Sequence, residues 1–208
     1  MNELYLANRN LSEAYRQTLQ EKKSTLYPSE TFSDATDINP QKYYLDFKDC
    51  ALRFVHNEIE LLKKECLQSD NSHLTLLKQT ALVDTIVQAA FASALWFFNR
   101  QNKQDLDDKT APLAILARGG YGREEMYFRS DVDIQIVSRA SLEDDKKKWA
   151  EEIIGHFEYL FIFQDIFPSS SNSYYIENES FEKDLNQKNI TQFLALLEHR
   201  FITGNIFA

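Results

Sequence analysis

The chain has 208 residues, of which 43% are hydrophobic and 26% are charged, and its formal net charge is −9 at pH 7. This length and apolar content suffice for one sizeable core with a helical appendage and exclude a disordered chain. The negative charge argues against a nucleic-acid partner, because proteins that bind phosphate backbones cluster Lys and Arg. It does not exclude nucleotide chemistry, since bound divalent cations reverse the local sign of the field.

Cysteines, histidines and the N-terminus exclude further classes. Cys50 and Cys66 are the only cysteines, form no CxxC pair, and the four histidines are scattered, so no structural zinc site is expected. The N-terminus lacks the basic and apolar regions of a signal peptide, and we find no stretch of about 18 apolar residues for a membrane span. We therefore expect a cytoplasmic protein with no membrane partner.

The N-terminal part of the chain predicts helices joined by a polar linker. Residues 1–23 are rich in helix formers, and 24–41 hold two prolines and many Ser, Thr and Asp residues, which are typical of a loop. We expect the first segment to pack apart from the rest. Apolar residues at helical spacing predict an amphipathic helix over 42–68; they are Leu45, Leu52, Val55, Ile59 and Leu62.

Two strand signals follow a second long helix. The helix is predicted over residues 74–99 and ends in a polar stretch. A short apolar run at 113–117 predicts a buried strand that stops at Gly119 and Gly120, and 132–137 alternates apolar and polar residues as a strand does. Two strands therefore bracket a glycine turn.

Three further elements complete the predicted fold. Ser141 resembles the N-cap of a helix that continues to Leu160. A strand is predicted at 173–176, and a closing helix at 190–202, ended by Gly204. We predict an α+β fold in which a small mixed β-sheet packs on helices and an N-terminal helical extension precedes it.

A pair of glycines follows the first predicted strand, and a pair of aspartates stands at the start of the second. Gly119 and Gly120 allow a tight turn whose N–H groups can approach a phosphate, which alone is a weak signal. Asp131 and Asp133 stand at i and i+2 and so share one face of a strand, opposite its apolar face. Carboxylates beside a glycine turn suit Mg²⁺ and nucleotidyl transfer. The alternative is an ordinary turn followed by two solvated aspartates.

The residues around this loop resemble a known catalytic motif. Residues 116–126 read LARGGYGREEM and 130–133 read SDVD, which is similar to the motif of the bacterial uridylyltransferase/uridylyl-removing enzymes that modify the nitrogen-signalling protein PII. In that family the run is Gly-Gly-Tyr-Gly-Arg-Gly-Glu-Leu, followed by Ser-Asp-Ile-Asp. Glu124 therefore stands where the family has a loop glycine.

Two flanking stretches extend the resemblance to about residues 74–205. Residues 80–84, which end in an aspartate, resemble the helix ahead of the family's catalytic strand, and 189–204 resemble a later helix. The resemblance implies a DNA-polymerase-β-like nucleotidyltransferase domain over 71–208, preceded by the helical extension over 1–70. It leaves open whether the chain is a fragment of a longer protein or a short stand-alone member.

The resemblance also implies ligands and a reaction. Asp131 and Asp133 would hold Mg²⁺, or Mn²⁺ in its place, and Gly119 and Gly120 would contact the phosphates of a nucleoside triphosphate, with UTP favoured. The reaction implied is Mg²⁺-dependent transfer of UMP from UTP to a hydroxyl of a protein such as PII.

Two further residues are assigned to the same site. Ser130 would support it through its hydroxyl, and Arg123 would pair with phosphate oxygens through its guanidinium. For Arg123, a salt bridge to Glu124, Glu125 or another acid nearby is the alternative.

The sequence also departs from the family. The family's Gly-His-Ser-x-Arg-Thr stretch corresponds to residues 171–176, which keep only Ser173. A third metal-binding carboxylate is not evident, and Asp165 and Glu177 are the candidates. These departures leave an alternative function open, that of a nucleotide-binding regulatory module of the same fold with impaired catalysis.

Overall fold

The computed structural model describes residues 2–27, 39–138, 142–160, 172–174 and 198–205. Helices come first along the chain and the sheet follows, which confirms the predicted α+β class. The elements are α1 (Asn2–Lys22), a 3-10 helix (Lys23–Leu26), α2 (Pro40–Gln68), α3 (Ser72–Asn102), β1 (Ala114–Ala117), α4 (Gly119–Gly122), β2 (Ile134–Val137), α5 (Asp144–Leu160), β3 (Asn172–Tyr174) and β4 (Arg200–Gly204).

Helix α3 is the central element of the core. It begins after Asn71, whose side chain accepts a hydrogen bond from the Leu74 N–H, and it is buried on nearly all sides, as a helix that is apolar all round must be. Our prediction of no membrane-length apolar stretch is wrong, because α3 is long and apolar enough to cross a membrane. However, 83% of its most apolar window is buried inside the protein. Its composition is therefore that of a core helix.

Helix α2 covers α3 with a largely aromatic face. Asn39 caps α2 by accepting hydrogen bonds from the Gln41 and Lys42 N–H groups, and Pro40 occupies the first position, where no N–H is needed. The predicted helix is confirmed, but its predicted face is partly wrong, since Leu45 is 64% exposed. Aromatic rings bury more area than leucine, and they set the face instead. The buried residues are Tyr43, Phe47, Ala51, Phe54, Val55, Glu58 and Leu62.

Helix α1 packs against α3. Leu19 of α1 and Leu26 of the 3-10 helix are fully buried in the same core cluster as α3. The prediction that the first segment packs apart is therefore wrong, because a polar linker does not prevent an apolar helix face from returning to the core. Residues 28–38 of the predicted linker lie outside the described residues. The division into domains at residue 70 stays a prediction.

The four strands form one mixed sheet in the order β3-β2-β1-β4. Strand β1 runs antiparallel to β2 and β4, and β2 runs parallel to β3, as the predicted mixed sheet requires. The buried side of the sheet belongs to the same core cluster as α3 and α5. Its residues are Ile115, Ala117, Ile134, Ile136 and Ile202.

Strand β4 corrects the predicted closing helix. Residues 200–204 pair with β1, with Arg200 opposite Ala117 and Gly204 opposite Ala114, so Gly204 belongs to a strand and does not end a helix. The prediction failed because a short apolar run cannot distinguish helix from strand by spacing alone. The rest of that predicted helix, residues 190–197, and the predicted N-cap Ser141 lie outside the described residues.

Candidate nucleotide site

The glycine turn and the aspartate pair meet at one end of the sheet. Strand β1 ends at Ala117, and the Arg118 N–H donates to the Asp133 carbonyl oxygen at 3.0 Å. Gly119 follows with φ +55°, and a Cβ placed on it would lie 3.2 Å from Asp133 Oδ2. A side chain is therefore disfavoured at Gly119 twice over, by backbone conformation and by the carboxylate beside it. The structure brings together the two halves of the predicted site.

Asp131 and Asp133 precede β2, which begins two residues later than predicted. Val132 and Ile134 are buried in the core, whereas Asp131 is exposed and Asp133 is half-buried. The alternation predicted for this segment is thus present although the residues before Ile134 lie outside the strand. Both carboxylates offer hard oxygen donors outside the apolar core, which fits a Mg²⁺ ion that completes its shell with water and phosphate oxygens.

A third carboxylate near the pair is not found in the part of the chain that the structure describes, which holds no group of three or more His, Cys, Asp or Glu residues arranged to bind a metal. The two candidates from the sequence, Asp165 and Glu177, lie outside that part. The candidate metal site is therefore a two-carboxylate site among the described residues.

Ser130 and Arg123 hold the loop between the glycines and the aspartates. The Ser130 hydroxyl accepts a hydrogen bond from the Tyr127 N–H at 2.9 Å, which closes a tight turn directly before Asp131. Arg123 Nε donates to Glu125 at 2.7 Å, and its guanidinium also pairs with Glu198. The hydrogen bond to Glu125 is the main cause that raises the Arg123 pKa. Phosphate binding by Arg123, which stays a prediction, requires these exposed ion pairs to open.

Tyr121, between Gly120 and Gly122, ties the turn to the core. Its ring is buried, and its hydroxyl donates to Asp84 Oδ1 at 2.7 Å. Burial is the main cause that raises the Tyr121 pKa well above its ordinary value, and the Asp84 charge adds to it. Position 122 beside it requires glycine, because the Glu198 carbonyl oxygen lies so close that a Cβ there would overlap it.

Asp84 of α3 is a buried carboxylate with partners on three other elements. It is 2% exposed, and besides Tyr121 it accepts from Arg200 at 2.8 and 2.9 Å and from Arg16 at 2.5 Å. Burial alone would lower the Arg200 pKa, but the bonds and charge of Asp84 outweigh it and raise that pKa. The sequence analysis assigned no role to Asp84. The signal that was missed is a lone acid inside an apolar helix, which must have partners.

Glu124 joins the same network from the turn. It adopts φ +62°, a left-handed conformation that favours glycine, and it stands where the related motif has glycine. Its carboxylate accepts from Arg16 at 3.2 Å and from Arg9, so α1 is held to the turn by two arginines. The replacement therefore keeps the backbone shape of a glycine and adds a carboxylate that anchors α1.

Comparison with known proteins follows the same part of the chain. Residues 64–198 match the family described as "Putative nucleotidyltransferase DUF294". The chain is 33% identical over 132 residues, 64% of its length, to a bifunctional uridylyltransferase/uridylyl-removing enzyme of Zymomonas mobilis. It is 30% identical over 156 residues, 74% of its length, to the enzyme of that name in Neisseria meningitidis serogroup A.

The aligned region is a small share of these relatives. It spans 12% of the Zymomonas protein and 16% of the Neisseria protein, so similarity covers one part of a much longer enzyme. The family match is broader with respect to this chain, since residues 64–198 are more than half of it. The chain therefore belongs to this nucleotidyltransferase family, a family of transferase enzymes.

Proposed function

We propose that this protein transfers UMP from UTP to a protein hydroxyl in a Mg²⁺-dependent reaction, with a PII-type signalling protein as acceptor. The proposal rests on the close approach of the Asp133 carboxylate to the turn at Gly119, which sets a backbone able to bind phosphate beside a carboxylate able to bind a metal. The names of the relatives support UTP as donor. The net charge of −9 argues against a nucleic-acid acceptor, and the resemblance to enzymes that modify PII favours a protein acceptor. We place the reaction in the cytoplasm.

Asp131 and Asp133 would hold Mg²⁺ or Mn²⁺, and the bound ion would supply neutralisation of the triphosphate charge. Gly119 and Gly120 let the backbone approach the β- and γ-phosphates with no side chain in the way. Arg123 lies beside the turn, with Nη2 4.0 Å from a Cβ placed on Gly120, and there it would exchange its carboxylate partners for phosphate oxygens, to which a guanidinium binds well.

The chemical step transfers one nucleotidyl group. The acceptor hydroxyl oxygen attacks the α-phosphorus of UTP, and a new phosphorus–oxygen bond forms. The bond from the α-phosphorus to the bridging oxygen breaks, and pyrophosphate leaves with its electron pair. The hydroxyl proton passes to solvent or to a base. The protein's contribution is position and charge, which are the main sources of catalysis in phosphoryl chemistry.

Calorimetric titration of UTP, ATP, GTP and CTP with Mg²⁺ tests the proposal. The wild type is expected to bind UTP most tightly, and an Asp131→Ala/Asp133→Ala variant to lose that binding. Asp144 and Asp145 are exposed at the start of α5, so Asp144→Ala/Asp145→Ala removes the same charge elsewhere and should bind as the wild type does. Unchanged UTP binding in the Asp131→Ala/Asp133→Ala variant would contradict the assigned site.

A regulatory module with impaired catalysis is the second candidate. It is supported by the absence of a third carboxylate beside Asp131 and Asp133 in the described residues and by the divergent stretch at 171–176. Pyrophosphate release measured with UTP and a panel of PII-type proteins distinguishes the two. Metal-dependent UTP binding with no release above the Asp131→Ala/Asp133→Ala background would favour the regulatory module.

A further inference from the structure

Asp84 is a buried acid for which the proposed reaction has no direct use. It lies on α3, outside the loop that carries Gly119 and Asp133. We infer that Asp84 is a positioning residue of the nucleotide site, which holds the glycine turn in its phosphate-binding shape through Tyr121. The inference rests on the proposed function for its effect on nucleotide binding, whereas the restraint on the turn can be measured without nucleotide.

The composition of the turn leaves it one side chain that can anchor it. Residues 119–122 read GGYG, so Tyr121 is the one residue of the four with a side chain. Glycine-rich backbone loses more conformational entropy on ordering than any other sequence. A turn of this kind keeps one conformation only if something outside it fixes the backbone, and the buried Tyr121 ring and hydroxyl are placed to do so.

The hydroxyl of Tyr121 meets a carboxylate that is itself held from several sides. Asp84 Oδ1 accepts from Tyr121 at 2.7 Å and from Arg200 Nη2 at 2.8 Å, while Oδ2 accepts from Arg200 Nη1 at 2.9 Å and from Arg16 at 2.5 Å. The fork of Arg200 fixes the plane of the carboxylate, because two parallel N–H bonds allow one orientation. Tyr121 therefore binds to an acceptor that cannot rotate away.

Arg200 also contacts the turn directly. Its guanidinium lies 5.3 Å from the centroid of the Tyr121 ring, within the range of a cation–π interaction, and Nη2 approaches the Tyr121 carbonyl oxygen at 3.5 Å. Arg200 is the first residue of strand β4 and stands opposite Ala117 at the end of β1. Tyr121 is therefore contacted both by the sheet, through Arg200, and by α3, through Asp84. The position of Gly119 against Asp133 thus depends on contacts made on the far side of the turn.

A second buried carboxylate supplies a matched control. Glu58 of α2 is 4% exposed and accepts from the Tyr15 hydroxyl at 3.0 Å and from Lys22 at 2.6 Å. Both of those partners lie on α1, so this cluster joins α1 to α2, and its hydrogen bonds do not include the glycine turn. Tyr121→Phe and Tyr15→Phe each delete one hydroxyl bonded to a buried carboxylate, and Asp84→Asn and Glu58→Gln each neutralise one such carboxylate.

Amide hydrogen exchange of residues 118–126, followed by mass spectrometry without nucleotide, tests the restraint. Tyr121→Phe keeps both arginine pairs of Asp84 and should remain folded, and exchange in the turn is expected to rise about tenfold, the factor for one lost hydrogen bond to a charged group. Asp84→Asn should raise it further. Tyr15→Phe and Glu58→Gln should leave exchange in the turn within about twofold, even where they lower the melting temperature. If Tyr121→Phe and a folded Asp84→Asn variant both exchange amide hydrogens in the turn as slowly as the wild type does, the inference is overturned.

Titration with Mg–UTP tests the consequence for the site. Tyr121→Phe is expected to weaken UTP binding about tenfold. Tyr15→Phe, at a comparable loss of stability, is expected to change UTP binding by no more than about twofold. Equal weakening by both variants would show that Tyr121 acts only through overall stability and would overturn the inference. If the wild type binds none of the four Mg–nucleotides, the proposed function fails, and the exchange measurement alone decides whether Asp84 holds the turn.

Discussion

Two buried carboxylates of this protein have the same local chemistry and different consequences. Asp84 and Glu58 each lie on a long helix, are almost fully buried, and accept from a tyrosine hydroxyl and a cation. The partners of Glu58 both come from α1, so that cluster fastens one helix to another. The partners of Asp84 come from α1, α4 and β4, so that cluster fixes the point where the glycine turn meets the sheet. Location, not hydrogen-bond chemistry, separates a contact of the scaffold from one that shapes a site.

Neutralising each carboxylate should give the largest difference in stability between the two clusters. Asp84→Asn leaves the guanidinium of Arg200, which is 23% exposed, without an anion, and leaves that of Arg16, which is 26% exposed, with Glu124 alone. We expect a loss of about 3 kcal/mol in the free energy of unfolding. Glu58→Gln should cost about 1 kcal/mol, because Lys22 is 43% exposed and can turn to solvent. Urea denaturation measures both. Equal losses would show that the two clusters do not differ in burial of charge.

Exchanging the cations sharpens the same contrast at a smaller scale. Arg200→Lys keeps the charge but removes one of two bonds to Asp84, and we expect a loss of about 2 kcal/mol. Lys22→Arg at the Glu58 cluster has room at the surface and should change stability by less than about 0.5 kcal/mol. Thermal and urea denaturation of both variants give the comparison. An Arg200→Lys variant as stable as the wild type would contradict the role assigned to the bidentate geometry.

Glu124 separates backbone strain from charge pairing in the Asp84 cluster. Glu124→Ala removes the bonds to Arg9 and Arg16 and keeps a side chain at φ +62°, whereas Glu124→Gly removes the same bonds and relieves the conformation. We expect the glycine variant to be the more stable by about 1 kcal/mol. Denaturation curves of the two variants measure this difference. An alanine variant as stable as the glycine variant would show that the left-handed backbone costs nothing here.

The two clusters also mark what the sequence could and could not predict. The long helices and the glycine turn between two strands follow from local patterns, namely apolar periodicity and the position of Gly119 and Gly120. The Asp84 cluster joins residues 37, 68 and 116 positions apart, and no local pattern contains such pairings. Its sequence trace is one acid in an apolar helix, which says that a partner exists and not which one.

The prediction for the residues of strand β4 was wrong for a related reason. The last residues of the helix predicted over 190–202 belong to this strand, because a run as short as Phe201 to Thr203 fits either period. Pairing with β1 decides the matter, and in this register Arg200 stands opposite Ala117 and its guanidinium bonds to Asp84. Nonlocal hydrogen bonds thus fix both the strand and the cluster, and a pattern read along the chain does not include them.

A partly buried polar pair, which lacks a fixed charge, extends the comparison and gives the smallest expected effect. His156 of α5 shares a hydrogen bond of 2.6 Å with the Tyr44 hydroxyl and stacks on Phe97. Burial is the main cause that lowers the His156 pKa, and Glu152, 4.0 Å away, opposes it. Because the folded state binds this proton more weakly than the unfolded chain does, stability is full above a pH of about 6.5 and falls as the pH drops below that value.

His156→Asn keeps an acceptor for Tyr44 at the same place and removes the titration. Its free energy of unfolding, measured between pH 7.5 and 5.5, should fall less steeply with decreasing pH than that of the wild type. Parallel slopes for wild type and His156→Asn would mean that this imidazole releases no proton on folding in this range.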